Sequence, residues 1–216
     1  MNSSLHRISK QIGCVVKPVI VYGTNDVSQL ATFYLKHDSS RTVAAHCVDR
    51  EFLKETDCLG LPVTAFEDID PNDFDLFIPL YDNKLREEKA NAAKARGFTL
   101  ISYVSSKATV WSPVGENCFI MEDNTIQPFV AVGNNVIMWS GNHIGHHSVV
   151  KDNVFFSSHV VLSGHCVVNP YCWLGVNSTI RDHIHLAEGT FVAMSAMITK
   201  NTEPNKKYMG VPAKEF

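Results

Sequence analysis

Residues 144–180 read IGHHSVVKDNVFFSSHVVLSGHCVVNPYCWLGVNSTI. A large apolar residue returns at every sixth place: Ile144, Val150, Phe156, Leu162, Val168, Leu174, Ile180. The beat runs on in both directions, through Val114, Ile120, Ile126, Val132 and Met138 before it and Leu186, Val192 and Ile198 after it. Fifteen consecutive positions are thus apolar in a chain that is 45% hydrophobic, so chance is a poor explanation. Four places after each large residue stands a mostly small or β-branched one, such as Cys118, Ser148, Val160, Cys166, Cys172 and Ala196. An amphipathic helix needs apolar spacing of about 3.6 residues and an ordinary strand needs strict alternation; neither sustains a period of six. The pattern is that of a parallel β-helix, in which each six-residue unit supplies one short strand and one turn. Three units close a triangular coil, so fifteen give about five coils.

Both repeating positions point inward and stack coil upon coil. Cys118, Cys166 and Cys172 then read as core filler. Asn124 and Asn142 fall inside as well, where their amides must find backbone partners.

Residues 17–104 lack the beat. "KPVIVYGTND" reads as a strand, a Gly turn and a helix start, continued by "VSQLATFYLKHD". "RTVAAHCVD" and "DFDLFIPLYDN" read as further strands, and "KLREEKANAAKARGF" as an amphipathic helix leading into "TLISYV". Strand–helix alternation predicts a small parallel, Rossmann-like α/β domain over 17–104, after an N-terminal tail of residues 1–16. The all-β helix follows over 105–216. Ligands of such sheets sit beyond the carboxyl ends of the strands. That rim carries Gly23, Thr24, Asn25 and Asp26, then Asp49, then Pro79–Asn83, with Tyr81 and Asn83 as the polar candidates. A GxGxxG fingerprint is absent, which argues against a dinucleotide and leaves a mononucleotide open.

A formal charge of −3 and no long Lys/Arg run give no nucleic-acid footprint. No apolar stretch approaches the roughly 20 residues of a membrane span. "MNSSLHRISKQIGCVVKP" does not read as a secretory signal. Six cysteines without a CxxC pair suggest free thiols, and the expected compartment is the cytoplasm.

Residues 18 apart are neighbours on successive coils. His147, His165 and His183 should therefore form an outward ladder up one corner, while His146 stands next to Gly164. A side chain beside bare main chain is a place where a carbonyl can approach an N–H. Histidine also suits general-base work, because its ordinary pKa of about 6.5 lies near neutrality. A metal reading needs ligands converging on one ion, which a ladder of parallel side chains does not supply by itself. Exposed turn histidines with no further role are the third alternative.

The coils, the preceding α/β domain and the closing "GVPAK" (210–214) resemble the hexapeptide-repeat sugar-nucleotide N-acetyltransferases. The similar branch holds the bacillosamine and perosamine N-acetyltransferases and sialic-acid-type O-acetyltransferase relatives. The likeness covers residues 17–216; "VNPYCWLGVNSTIRDHIHLAEGTFVAMSAMITKN" fits the last coils especially well. It implies a left-handed β-helix, a homotrimer, acetyl-CoA as co-substrate bound between adjacent helices, and no metal. It also implies a nucleotide-linked amino sugar held by the N-terminal domain, within surface-glycan (lipopolysaccharide-type) sugar synthesis.

The family's catalytic His stands third in a unit resembling V-D-H-D-C-V, which here is IGHHSV (144–149) and points to His146. Gly164 is implied as the donor to the thioester carbonyl, and His147, beside the base, either orients it in catalysis or simply continues the ladder. Gly164, Val176, Met194, Lys200 and Lys214 are the implied acetyl-CoA contacts. Gly23, Thr24, Asn25, Asp26, Asp49, Tyr81, Asn83 and Trp139 are the implied substrate contacts. The sequence departs from the family where acidic neighbours of the base are Gly145 and His147, where a second His is Phe155, and where an Asn is Trp139. The alternatives are O-acetyl transfer to a sugar hydroxyl, a zinc hydratase of the γ-carbonic-anhydrase type, and a trimeric scaffold without activity.

Overall fold

The computed structural model describes residues 16–216; the tail expected over 1–16 lies, apart from Val16, outside the described residues. The α/β domain is built from β1 (Val19–Tyr22), α1 (Asp26–His37), β2 (Val43–Val48), β3 (Asp57–Cys58), β4 (Leu61–Ala65), β5 (Asp75–Phe77) and α2 (Asn83–Ala95). The sheet order is β3-β4-β2-β1-β5, parallel throughout except for the β3–β4 pair. The three strands read from the sequence are present; the β3–β4 pair, in a segment with turn residues on every side, is an addition. All four residues of β1 are buried, as a central strand covered on both faces requires. Because β2 and β5 flank β1, the chain reverses direction there, and the carboxyl ends of these strands form the crevice rim.

One side of this sheet packs Ile20, Tyr22, Leu76 and Ile78 against Ala90 and Ala93 of α2. The other side packs Val19, Val21 and Phe77 against Val27, Ala31 and Leu35 of α1. The second cluster continues without a break into Tyr103, Phe119, Ile137 and Phe155, the outward residues of one β-helix face. A single apolar core therefore joins the two parts.

The β-helix has three faces of two-residue strands. Face one includes Phe119–Ile120, Ile137–Met138, Phe155–Phe156, Trp173–Leu174 and Phe191–Val192. Face two includes Thr125–Ile126, His143–Ile144, Val161–Leu162, Thr179–Ile180 and Met197–Ile198. Face three is Ala131–Val132, Val149–Val150, Val167–Val168 and His185–Leu186. The registers Ile144↔Leu162 and Leu162↔Ile180 stack the large residues as the period demands. The end coils are shorter: Tyr103 pairs with Phe119 and Phe191 with Lys207, a spacing of 16 instead of 18. Val114, expected as the first strand position, accordingly lies outside any strand, half-buried against the core.

Every sixth residue from Asn117 to Ser195 is left-handed, including His147 (φ 58°), His159 (58°), His165 (59°) and His183 (58°). Outside glycine, that conformation is enriched in Asn, Asp and His, which explains why histidines collect at these corners. Inside, Asn124 Nδ2 donates to the Met121 and Trp139 carbonyls at 2.9 Å each, and Asn142 Oδ1 accepts from the Val160 N–H at 2.8 Å. The inward amides thus find the backbone partners that burial requires. The cysteines among the described residues are all buried and unpaired. No helix among the described residues is long and apolar enough to cross a membrane.

Candidate active site

His146 lies at the corner between faces two and three. Its N–H donates to Gln127 Oε1 at 2.8 Å, and its carbonyl accepts from the His165 N–H at 3.0 Å, so the main chain is fixed on both sides. The ring lies across Gly164 on the next coil. A Cβ at Gly164 would stand 2.8 Å from His146 Cε1 and 3.0 Å from Nε2, so any side chain there would push the imidazole out of this position. Gly145 is more tightly constrained, since a Cβ there would sit 2.6 Å from the Gly164 nitrogen, a backbone atom. Ser163 N–H and His165 N–H, on either side of Gly164, both join the inter-coil ladder. Among the described residues nothing accepts the Gly164 N–H. An imidazole and a free main-chain donor therefore stand side by side, as the 18-residue spacing predicts.

The ladder forms as expected: His147 stacks on His165 with ring centroids 4.9 Å apart, and His165 on His183 at 4.8 Å. Phe129 extends it at 4.8 Å from His147. His146 crosses the ladder, 87° from both His147 and His165, and its Nδ1 is 3.0 Å from Nδ1 of His147. His147 thus both continues the ladder and bonds to the candidate base. The crossing also brings ligand atoms of His146, His147 and His165 within 4.8 Å of one another, a convergence that parallel rings alone do not give. All three residues are exposed.

The rim of the α/β domain is largely committed to its own architecture. Gly23 has φ 95°, and a Cβ there would meet Ser28 Oγ at 2.5 Å. Its carbonyl accepts from His46 Nδ1 at 2.7 Å; His46 Nε2, then unprotonated, accepts from Thr32 Oγ1 at 3.0 Å. Asn25 Oδ1 caps α1 by accepting from the Ser28 N–H at 3.1 Å. The Thr24 carbonyl accepts from Gln29 Nε2 at 2.9 Å. Asp49 accepts from Tyr22 Oη at 2.5 Å and pairs with Lys89 at 2.8 Å; burial opposes its charge, while these partners hold its pKa below the usual value. Asp26 stays exposed at the rim, and together with burial its charge pushes the Tyr81 phenol up.

Tyr81 leads away from the rim. Its ring lies parallel to Trp139 with centroids 6.0 Å apart, 5.4 Å from Phe155 and 6.4 Å from Trp173. With Ser157, Ser158 and Val176 these rings line a cleft of about 460 Å³ between the two parts of the chain. A second hollow of about 330 Å³ continues past Trp173 to Asn83, Gly189 and Asn205. The loop above it is pinned by Arg86, which is fully buried without a carboxylate partner. Its guanidinium donates to the Asn135, Leu80 and Tyr81 carbonyls and to Asn83 Oδ1, and burial draws its pKa down to about 10. Phe155, Trp173, Ser157 and Ser158 were not among the sequence-based substrate contacts. The signal was present, because the outward residue of face one is large at every 18th place from Phe119 to Phe191.

The remaining candidates divide between two corners. Val176 and Met194, exposed, stand with Trp139 between faces one and two, whereas Lys200 stands on the His146–Gly164 corner. Lys214 lies in the closing hairpin on face one. One face of the prism separates the aromatic cleft from the imidazole, so a single chain does not bring the two together.

An α/β unit seated on the flank of a left-handed parallel β-helix is the fold of a class of acyltransferase structures. The acetyltransferase domain of PglB from Neisseria gonorrhoeae superposes with a TM-score of 0.84 at 20% identity, over 93% of this chain and 100% of that one. A variant of GDP-perosamine N-acetyltransferase from Caulobacter crescentus, in complex with CoA and GDP-perosamine, gives 0.85 at 22%, over 93% and 97%. WeeI from Acinetobacter baumannii gives 0.78 at 16%, over 93% and 100%. These likenesses establish the fold.

No family model matches the chain. By sequence it is 26% identical over 106 residues to an acyl-(acyl-carrier-protein)–UDP-N-acetylglucosamine O-acyltransferase of Sinorhizobium fredii, 46% of this chain and 39% of that protein. The protein of the same name from Campylobacter concisus is 24% identical over 98 residues, 42% of this chain and 37% of the relative. The matched stretch thus spans about two fifths of the length of these curated relatives.

Proposed function

We propose that the chain is an acetyl-CoA-dependent N-acetyltransferase acting on the amino group of a nucleotide-linked sugar. The observation that carries this is the His146 ring lying across Gly164, whose N–H is free. His147 Nδ1 can accept the proton of His146 Nδ1, which leaves His146 Nε2, the nitrogen against Gly164, with its lone pair available. The sugar amine attacks the thioester carbon and its proton passes to Nε2. The oxygen of the tetrahedral intermediate gains negative charge and accepts from the Gly164 N–H, a donor of a kind worth on the order of 3 kcal/mol elsewhere. Collapse breaks the carbon–sulfur bond, and the imidazolium returns the proton to the departing CoA thiolate.

The aromatic cleft beneath Tyr81 suits the apolar face of a sugar ring, and the rim from Gly23 to Asp26 suits its nucleotide. Because cleft and base stand on different corners, the reading includes a homotrimer in which one chain's cleft meets the next chain's His146. Acetyl-CoA would then lie along the seam, past Val176 and Met194 of one chain and Lys200 of the other. The PglB domain and the perosamine enzyme, which share the fold, lend support. The reading places the reaction in the cytoplasm, where acetyl-CoA and sugar nucleotides for surface glycans are made.

The test is acetyl transfer from acetyl-CoA to a panel of amino-sugar nucleotides. His146→Ala should lower kcat at least about 100-fold with KM for acetyl-CoA nearly unchanged. Unchanged turnover would reject the assignment. The two O-acyltransferase relatives favour one further arm: the same base removing a proton from a hydroxyl, which the corresponding hydroxy-sugar nucleotides would reveal.

A further inference from the structure

We propose that His146, His147 and His165 bind one divalent transition-metal ion of the zinc class, and that the occupied cluster is inactive. The binding half stands on geometry alone; the inactivation half rests on the proposed role of His146.

Three imidazoles converge from two adjacent coils. Their ligand atoms lie within 4.8 Å of one another, and the His146–His147 pair is already at 3.0 Å. Bonds of about 2.1 Å in a tetrahedral site put donor nitrogens about 3.4 Å apart, so the outermost pair must close by up to about 1.4 Å. All three side chains are exposed, which leaves their torsions free to make that adjustment. The main chain beneath them is fixed: His147 and His165 occupy the same left-handed corner, and the His165 N–H donates to the His146 carbonyl at 3.0 Å. An all-nitrogen donor set selects zinc, nickel or copper over magnesium or calcium, which require oxygen ligands.

Occupancy has a direct chemical consequence. A neutral imidazole carries one free lone pair. A metal on His146 Nε2 takes the lone pair meant for the substrate proton. A metal on Nδ1 leaves the remaining proton on Nε2, which then cannot accept another. Either mode removes the base, and neither disturbs the apolar prism below it.

Equilibrium dialysis against zinc sulfate near neutral pH, followed by metal analysis, tests the site. One zinc per chain is expected. His165→Asn, which keeps a residue at home in a left-handed turn, should bind at least about tenfold more weakly. His159→Asn is the control: its ring lies against Gly141 at a different corner, and binding should match wild type. In the transfer assay zinc should abolish turnover and a chelator restore it. His165 touches no reacting atom, so His165→Asn should turn over at the wild-type rate and require about tenfold more zinc for equal inhibition. Substoichiometric zinc, equal affinity in His165→Asn, or full turnover by the zinc-loaded chain overturns the proposal. A chain that binds zinc as described yet transfers no acetyl group even when metal-free sinks the transferase reading and leaves the metal site standing. A zinc-free chain with brisk turnover does the reverse.

Discussion

At the scale of single residues, the decisive contact is between two imidazole nitrogens. A base must present an unprotonated Nε2, and that tautomer is favoured only if Nδ1–H has an acceptor. Here the acceptor in reach is His147, whose Nδ1 is 3.0 Å away. His147→Ala removes the acceptor and should lower kcat by about tenfold with little change in KM. His147→Asn keeps a side-chain oxygen and the left-handed turn, and should recover most of that loss. An Ala variant within twofold of wild type would reduce His147 to a rung of the ladder. Half of this arrangement is legible in the sequence, because residues 18 apart must be neighbours and 146 + 18 is 164. The crossing of His146 over the ladder is not, since the period fixes where a side chain starts and not the torsions that aim it.

At the scale of elements, the first βα turn depends on a histidine outside every recognised motif. His46 in β2 is fully buried and bridges the Gly23 carbonyl to Thr32 of α1, as a neutral ring with Nδ1 protonated. Burial lowers its pKa from 6.5. The unfolded chain therefore takes up a proton on falling through about pH 6.5 that the folded chain refuses. The contribution is fully present above that pH and is lost below it, at no more than about 1.4 kcal/mol per pH unit. Thermal melts should show Tm declining below about pH 6.5 in wild type and less steeply in His46→Gln, normalised to their values near pH 8. Equal slopes would assign the acid sensitivity to other groups. The elements themselves were legible in unequal measure. β1, β2 and β5 are apolar runs ended by turn residues, and the periodic strands announce themselves. The β3–β4 pair and the shortened end coils follow from tertiary pairing, as does the Arg86 pin, three of whose four acceptors are main-chain carbonyls that carry no residue identity.

At the scale of the whole molecule, the two proposed half-sites stand on neighbouring corners of the prism. The exposed cleft of Tyr81, Trp139, Phe155 and Trp173 stands beside Val176 at the corner between faces one and two. His146 and Gly164 stand at the next corner, between faces two and three. In the proposed homotrimer, a closed threefold ring of identical prisms brings unlike corners together, and each complete site would draw its base from one chain and its cleft from the next. Complementation tests this directly. His146→Ala chains lack the base, and chains carrying both Tyr81→Ala and Trp139→Ala lack the cleft; each alone should be nearly inactive. When the two are co-expressed in equal amounts and assemble at random, half the sites receive an intact imidazole. Half of those meet an intact cleft, so about a quarter of wild-type activity should return. Mixing the separately purified proteins without dissociation should restore none, which separates shared sites from residual activity. If each chain holds a complete site of its own, the co-expressed mixture stays as inactive as its parts, because no chain in it carries both halves.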